Sequence, residues 1–437
     1  MLSSVSPVNP SSVHSVLAAP GAALSGTQIN DFVAQACTAG DYSGRKVLLI
    51  VPDSTRTAPI GPFFRALHAR IAPSAAAFDV MVALGTHPPM TGEAICRRLE
   101  ITPAEHQAAF AGVRLLNHEW DNPAALRNLG CIPAEEIAAL SGGLFAMDVE
   151  VKVNARIFDY DKVIIVGPVF PHEVVGFSGG NKYLFPGVAG PEILNFFHWL
   201  GAVITNPMII GNKWTPVRKV VDRAAKMIGL EKLCFCLVVQ GRDLAGAFAG
   251  SPESAWDEAS ELSRRLHVVH KVHPFDTILS CAPAMYDDLW TGGKCMYKLE
   301  PVLADAGELI IFAPHISEIS VTHGRLIEQI GYHCRDYFLK QWDRFKDLPW
   351  GVIAHSTHVR GIGTFEDGVE HCRARVTLAS RIPREVCARI NLGYRDPDTI
   401  RPEDYANREP EGVLLVPKAG EMLYQLSQPA PWAKGQG

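Results

Sequence analysis

Residues 162–200, KVIIVGPVFPHEVVGFSGGNKYLFPGVAGPEILNFFHWL, hold a strand signal, a glycine-rich turn and a helix signal in succession, and that succession sets the fold class. Lys162 to Gly167 (KVIIVG) is a short continuous apolar run of the kind that fills a buried strand. Pro191 after Gly190 marks a helix start, because proline at the first helical position gives up an N–H that lacks a partner there anyway. That helix carries His198 about two turns in. Between the two elements, Gly176, Gly179 and Gly180 let the backbone approach a bound group, and Ser178 with the free N–H groups of the turn suits a phosphate. His172 falls in the loop at the carboxyl end of the strand, and Lys182 sits just past the glycines.

Outward from this unit the same alternation repeats. Lys46 to Val51, Phe78 to Leu84, Val113 to Leu116 and Cys234 to Val239 read as strands, with helix patterns such as Gly61 to Ile71 and Pro103 to Ala111 between them. The series restarts at Asp276 to Cys281 and continues with Glu308 to Ala313, Trp350 to Ala354 and Val386 to Asn391. The expectation is an α/β protein: two α/β domains with mainly parallel sheets and the active site in the cleft between them. Residues 1–25 are read as a loosely ordered N-terminus, 26–272 as a first domain and 273–411 as a second. The last stretch, 412–437, with a strand signal at Val413 to Pro417, is assignable to either domain.

Bulk properties narrow the function classes. The 437 residues carry Lys+Arg 41 against Asp+Glu 46, a formal charge of −5, without a basic run. This gives no electrostatic case for nucleic acid or an anionic membrane surface. No run of 18 apolar residues reads as a membrane span. The N-terminal stretch lacks a basic start followed by a continuous apolar core, and the scattered cysteines do not form a disulfide framework, so the expectation is a cytoplasmic, reducing location. Cys234 and Cys236 would face one side of a strand, read here as apolar packing rather than a metal site.

In open α/β sheets ligands sit beyond the carboxyl ends of the strands. Four such ends carry polar groups: Asp53, Ser54, Thr55 and Arg56 after the first strand, His87 after the second, His118 after the third and His172 after the fourth. Imidazoles on separate loops are natural proton carriers near neutrality. Arg56 offers a planar fork for a carboxylate, or a partner for Asp53. Lys182 suits a phosphate, a covalent attachment or solvent, and neither G-x-x-x-x-G-K-[ST] nor G-x-G-x-x-G occurs, which argues against ATP and NAD. His198, beside Phe196, Phe197 and Trp199, reads by itself as a packing histidine.

The motifs DSTRTAP (53–59), GTHPP (85–89) and HEVVGFSGGNKYLFPGVAG (172–190) followed by His198 resemble those of the lactate racemase family, the nickel-pincer nucleotide enzymes. The family pattern is D-x-T-R-P, G-T-H-R-P and H-x-x-x-G-[YF]-S-G-G-x-K-x-x-x-P-G with a further histidine. The spacings from His172 to Lys182 (ten) and from Lys182 to His198 (sixteen) match it. The resemblance implies a racemase or epimerase of a 2-hydroxy acid, lactate-like or larger, working by hydride transfer. It implies a nickel ion held in a pyridinium-3-thioamide-5-thiocarboxylic acid mononucleotide, with Lys182 as the covalent attachment and His198 as the protein ligand to nickel. His87 and His172 would be the acid/base pair, Arg56 would bind substrate, and Asp53, Thr55, Gly176, Ser178, Gly179 and Gly180 would face the cofactor. Cofactor-synthesis and insertion enzymes would be partners.

Departures bear on the substrate. Thr57 and Pro88 replace the proline and arginine of the first two motifs, and in AMYDDLWTGGK (284–294) Trp290 and Thr291 stand where lactate racemases have Tyr-Gln, with Lys294 retained as a substrate-binding residue. HSTHVRG (355–361), read as a post-strand loop, has no counterpart in the family pattern. Two other classes of function compete: a metal-dependent hydrolase or lyase using His87, His118 and His172 as direct ligands, and a non-catalytic protein that binds the nickel nucleotide.

Overall fold

A computed structural model describes residues 13–428. A seven-stranded sheet runs in the order His14–Leu17, Asp243–Gly250, Glu231–Gln240, Lys162–Pro168, Lys46–Pro52, Ala77–Ala83, Leu115–Asn117. The last five are mutually parallel, and the first two close one edge antiparallel. The central strands are buried on both faces, as KVLLIVP and KVIIVGP require, because helices cover both sides. Residues 14–17, inside the stretch read as loosely ordered, pair with Gly246 to Ala249, and Ser25 caps helix Gly26–Ala36. Residues 1–12 of that stretch, and 429–437 at the other end, lie outside the described residues.

A second, all-parallel sheet runs in the order Gly393–Tyr394, Arg375–Ser380, Leu303–Ala313, Phe275–Cys281, Val413–Val416. The strand at 413–416 therefore lies in this sheet, and the chain then returns to pair Leu423–Leu426 with Val268–Lys271.

Two expected strands are helices. Trp350–Arg360 is an eleven-residue helix entered from Pro349 and stopped by Gly361, whose φ of 84° ends it. It is buried on nearly every side, so neither a period of two nor one of 3.6 was there to read. Arg384–Arg389 is likewise a helix after Pro383, and the strand of that region is RVTLAS, Arg375–Ser380.

Helix Pro191–Ile204 joins the two halves. Ile193, Phe196, Phe197 and Leu200 pack in a core of the first sheet, while Trp199 and Ala202 belong to the core of the second. A helix apolar on both flanks must lie where two cores meet, and that places His198 between them. Asn195 fixes the arrangement by accepting the Gly351 N–H at 2.8 Å.

Candidate active site

The carboxyl edge of the first sheet builds one wall of a cavity of about 400 Å³. Pro52 lies opposite Ala83 in the parallel register, so the loops after these strands are neighbours. That adjacency brings Asp53 to His87: Asp53 Oδ2 and His87 Nδ1 share a short hydrogen bond. Asp53 Oδ1 accepts from the Thr55 N–H (3.1 Å) and hydroxyl (2.7 Å), which fixes the carboxylate. Burial pushes the Asp53 carboxyl up, but His87, Arg56 and Thr55 together outweigh it and hold the group well below the usual carboxylate range. A carboxylate can only accept, so Nδ1 of His87 carries a hydrogen, and in the neutral ring Nε2 is the bare nitrogen.

His172 is oriented the other way. The Val174 N–H donates to His172 Nδ1 at 3.1 Å, so the neutral ring carries its hydrogen on Nε2. Burial, then Lys182, Arg56, Lys298 and His198, depresses its pKa well below the ordinary histidine value. The Glu173 carboxylate, 3.3 Å from the same Nδ1, is the available partner for a protonated ring.

Lys182 and Lys294 line the cavity, and each is pushed down to about 7, by burial first and by Arg56 second. Lys298, whose ammonium donates to the Pro171 carbonyl, is pushed down to about 8, again chiefly by burial. Arg56 and the two lysines thus line the cavity together with Asp53 and Glu173, and with its lowered pKa each lysine is available near neutrality as ammonium or as free amine. His198 Nδ1 donates to the Leu194 carbonyl at 2.7 Å, which leaves Nε2 as a bare lone pair, the arrangement a metal-ligating imidazole needs. Burial chiefly lowers its pKa to about 4, so it is neutral and able to ligate.

Of the residues singled out in the sequence, Asp53, Thr55, Arg56, His87, His172, Ser178, Gly179, Lys182, His198, Trp290, Thr291 and Lys294 all line this cavity. Gly176 and Gly180 do not. An added Cβ at Gly176 would run into the Asn212 carbonyl, and one at Gly180 would come within 2.8 Å of that of Pro252, so chain packing demands these glycines. The phosphate reading of Ser178 is also corrected. Its N–H donates to Phe170 O (2.8 Å), and its hydroxyl donates to Pro168 O (3.2 Å) and accepts from Phe170 N (2.9 Å), so no donor remains for a ligand.

His118 leaves the site altogether. Its Nε2 donates to Ala189 O (2.9 Å) and its Nδ1 accepts from Asn154 (3.2 Å), so it is a packing residue, and the end of its strand reaches the cavity through Trp120 instead. Cys234 and Cys236 do face one side, their sulfurs 3.5 Å apart and buried.

The opposite wall comes from the second half, and the sequence hid most of it. Trp290 stacks on His355 (centroids 4.0 Å, interplanar 8°) and packs on His323 at 4.6 Å. His358 lines the same wall from the next helical turn. The signal for the last pair was their i, i+3 spacing within an eleven-residue run between Pro349 and Gly361; His323, and Trp120 on the first-sheet side, carried none. Among the described residues no group of three or more His, Cys, Asp or Glu stands ready to hold a metal unaided, and no helix is long and apolar enough to cross a membrane.

Fold and site together define an α/β protein whose cavity gathers Arg56, two lysines of lowered pKa and several imidazoles. Residues 33–208 match the lactate racemase N-terminal domain. The chain is 24% identical over 202 residues to a lactate racemase of Thermoanaerobacterium thermosaccharolyticum and 25% identical over 228 residues to one of Lactiplantibacillus plantarum. These matches cover 45% and 51% of this chain but only 43% and 49% of those proteins, about half the length of the curated relatives. A crystal structure of a Thermotoga maritima protein superposes with a TM-score of 0.84 at 32% identity, covering 93% of this chain and 99% of that one. The lactate racemase apoprotein of T. thermosaccharolyticum shares the fold at a TM-score of 0.68 and 17% identity, covering 91% of this chain and 93% of that one. Residues 33–208 thus carry the lactate racemase N-terminal domain, and the chain as a whole has the fold of the lactate racemase apoprotein.

Proposed function

We propose that the protein interconverts the stereoisomers of a 2-hydroxy acid, with His87 and His172 handling the hydroxyl proton. The observation that carries this is their opposed tautomers: Asp53 leaves His87 Nε2 free to take a proton, while Val174 leaves His172 Nε2–H free to donate a hydrogen bond. Arg56 and Lys294 hold the substrate carboxylate, and its charge offsets the cations that add to burial in depressing the His172 pKa. His172 can then take up a proton at Nδ1 facing Glu173 and deliver the other from Nε2, the role complementary to His87.

The side chains present fit the nickel-pincer nucleotide. Lys182, with its lowered pKa, offers a neutral amine for covalent attachment, and His198 offers a free Nε2 to nickel. Bound there, the group supplies a reversible hydride acceptor. This chain's own residues bind the acid, orient its hydroxyl and exclude water. With the donors of Ser178 committed to the loop, the nucleotide phosphate falls to the cationic side chains instead. The two sheets act as hinged domains, near 26–272 with the strand His14–Leu17 added and 273–411 with the strand Val413–Val416 added, and cofactor-synthesis and insertion enzymes are the partners of loading, in a cytoplasmic setting.

The hydrolase reading needs His118 as a ligand, and both of its nitrogens are engaged. A mere nucleotide carrier would have no use for the Asp53–His87 pair. The test is protein co-expressed with the cofactor-synthesis enzymes and incubated with one enantiomer of a 2-hydroxy acid. Chiral chromatography should show the other enantiomer appearing, and His87→Asn and His172→Asn should each abolish this in both directions. Conversion that survives both substitutions would overturn the proposal.

A further inference from the structure

The wall built by helix Trp350–Arg360 carries buried polar atoms that the protein itself does not satisfy. His355 Nε2 lies 2.9 Å from the Trp290 carbonyl. That oxygen only accepts, so the hydrogen is on Nε2 and Nδ1 is a bare lone pair. His355 Nδ1 and His358 Nε2 are both buried without a hydrogen-bond partner among the described residues. His355 is 8% exposed and His358 4%, and both line the cavity. Buried polar groups are normally paired, and an unpaired one at a cavity wall marks where a ligand group belongs.

The chemistry of that group follows from the state of the rings. Burial pushes both imidazoles down to about 3, so they are neutral and supply no charge to a second carboxylate. An apolar chain would leave both nitrogens unsatisfied. Hydroxyl groups satisfy them: one donates to His355 Nδ1, and His358 Nε2 either donates to that same oxygen or accepts from a second hydroxyl, according to its tautomer. The ring of His355 is held for this by its stack on Trp290, itself packed on His323. Arg56 and Lys294, which line the same cavity, would take the carboxylate end.

We infer that the substrate is a 2-hydroxy acid whose chain carries further hydroxyl groups beyond the second carbon, recognised by His355 and His358. This rests on reading the cavity as a 2-hydroxy acid site. The departures at Trp290 and Thr291 are consistent with it, since Trp290 carries the carbonyl and the ring that orient His355.

Calorimetry on the cofactor-loaded protein tests it with ribonate, a five-carbon polyhydroxy acid, against 2-hydroxypentanoate, its counterpart without the extra hydroxyls. Ribonate should bind at least about tenfold more tightly, the worth of one or two satisfied buried groups. His355→Phe, which keeps a ring against Trp290 but no nitrogen, should collapse that ratio by about tenfold. Equal affinities, or tighter binding of 2-hydroxypentanoate, by the wild-type protein would overturn the inference without recourse to any variant. Tight ribonate binding with no interconversion of any 2-hydroxy acid would keep the hydroxyl site and remove the racemase reading. Interconversion of lactate and 2-hydroxypentanoate as efficient as that of ribonate, with equal affinities, would do the reverse.

Discussion

Asp53 and His87, 34 residues apart in the chain, share a hydrogen bond because the strands that precede them are parallel neighbours with Pro52 opposite Ala83. The carboxylate determines which ring nitrogen of neutral His87 is free, and on the proposed reading that nitrogen takes the substrate proton. Asp53→Asn presents an amide that can donate to Nδ1 and favours the wrong tautomer. It should lower kcat by roughly 10²- to 10⁴-fold with little change in KM. Steady-state kinetics would show this; an unchanged kcat would make the pair structural.

Arg56 is half-buried at the same edge and lies among the groups that perturb His172, Lys182 and Lys294. Arg56→Ala should raise KM for a carboxylate substrate by about 10- to 150-fold, the usual worth of a hydrogen bond to a charged group. Arg56→Lys should recover little, because an ammonium lacks the planar fork. The measurement is KM for one acid across the three proteins.

The depressed lysines give stability a pH signature. Lys182 and Lys294 sit near 7 in the folded protein, whereas an unfolded lysine titrates at about 10.4. Above pH 7 the unfolded chain therefore binds more protons at these two sites, and their contribution to stability rises with pH. The Tm of the unloaded protein should increase from pH 6.5 to 8.5, and Lys294→Met should flatten the rise. Scanning calorimetry across that window checks it; a Tm that falls equally in both proteins would contradict it.

Covalent capture and metal retention should separate. Lys182→Ala should lose the mass of the attached nucleotide in intact-protein mass spectrometry, while His198→Ala keeps that mass and loses nickel on dialysis. Full loading of the Lys182→Ala protein would refute the attachment site.

Half of this site was legible in the sequence. Buried parallel strands announce themselves as unbroken apolar runs, and the residues after them fall at one edge by the geometry of the sheet. Hence Arg56, His87, His172 and Lys182 are found where the sequence placed them. The rest depended on packing that no local pattern encodes. Helix Trp350–Arg360 is buried all round, which erased its periodicity and turned His355 and His358 into an apparent loop pair. Ser178 looked free because its partners, Pro168 and Phe170, come from a fold-back of the same loop. His118 looked like a site residue because its partners, Asn154 and Ala189, lie on segments distant in the chain.

The most direct test of the reaction is a single enantiomer of the substrate turned over by the loaded protein in D₂O, with the α-position of the product read by NMR. On the proposed reading, protons carried by His87 and His172 belong to the hydroxyl and exchange with solvent, whereas the α-hydrogen does not. The expected result is inverted product that keeps protium at the α-carbon. Inverted product with deuterium at the α-carbon would contradict it, since it would mean that an imidazole abstracts the α-proton directly.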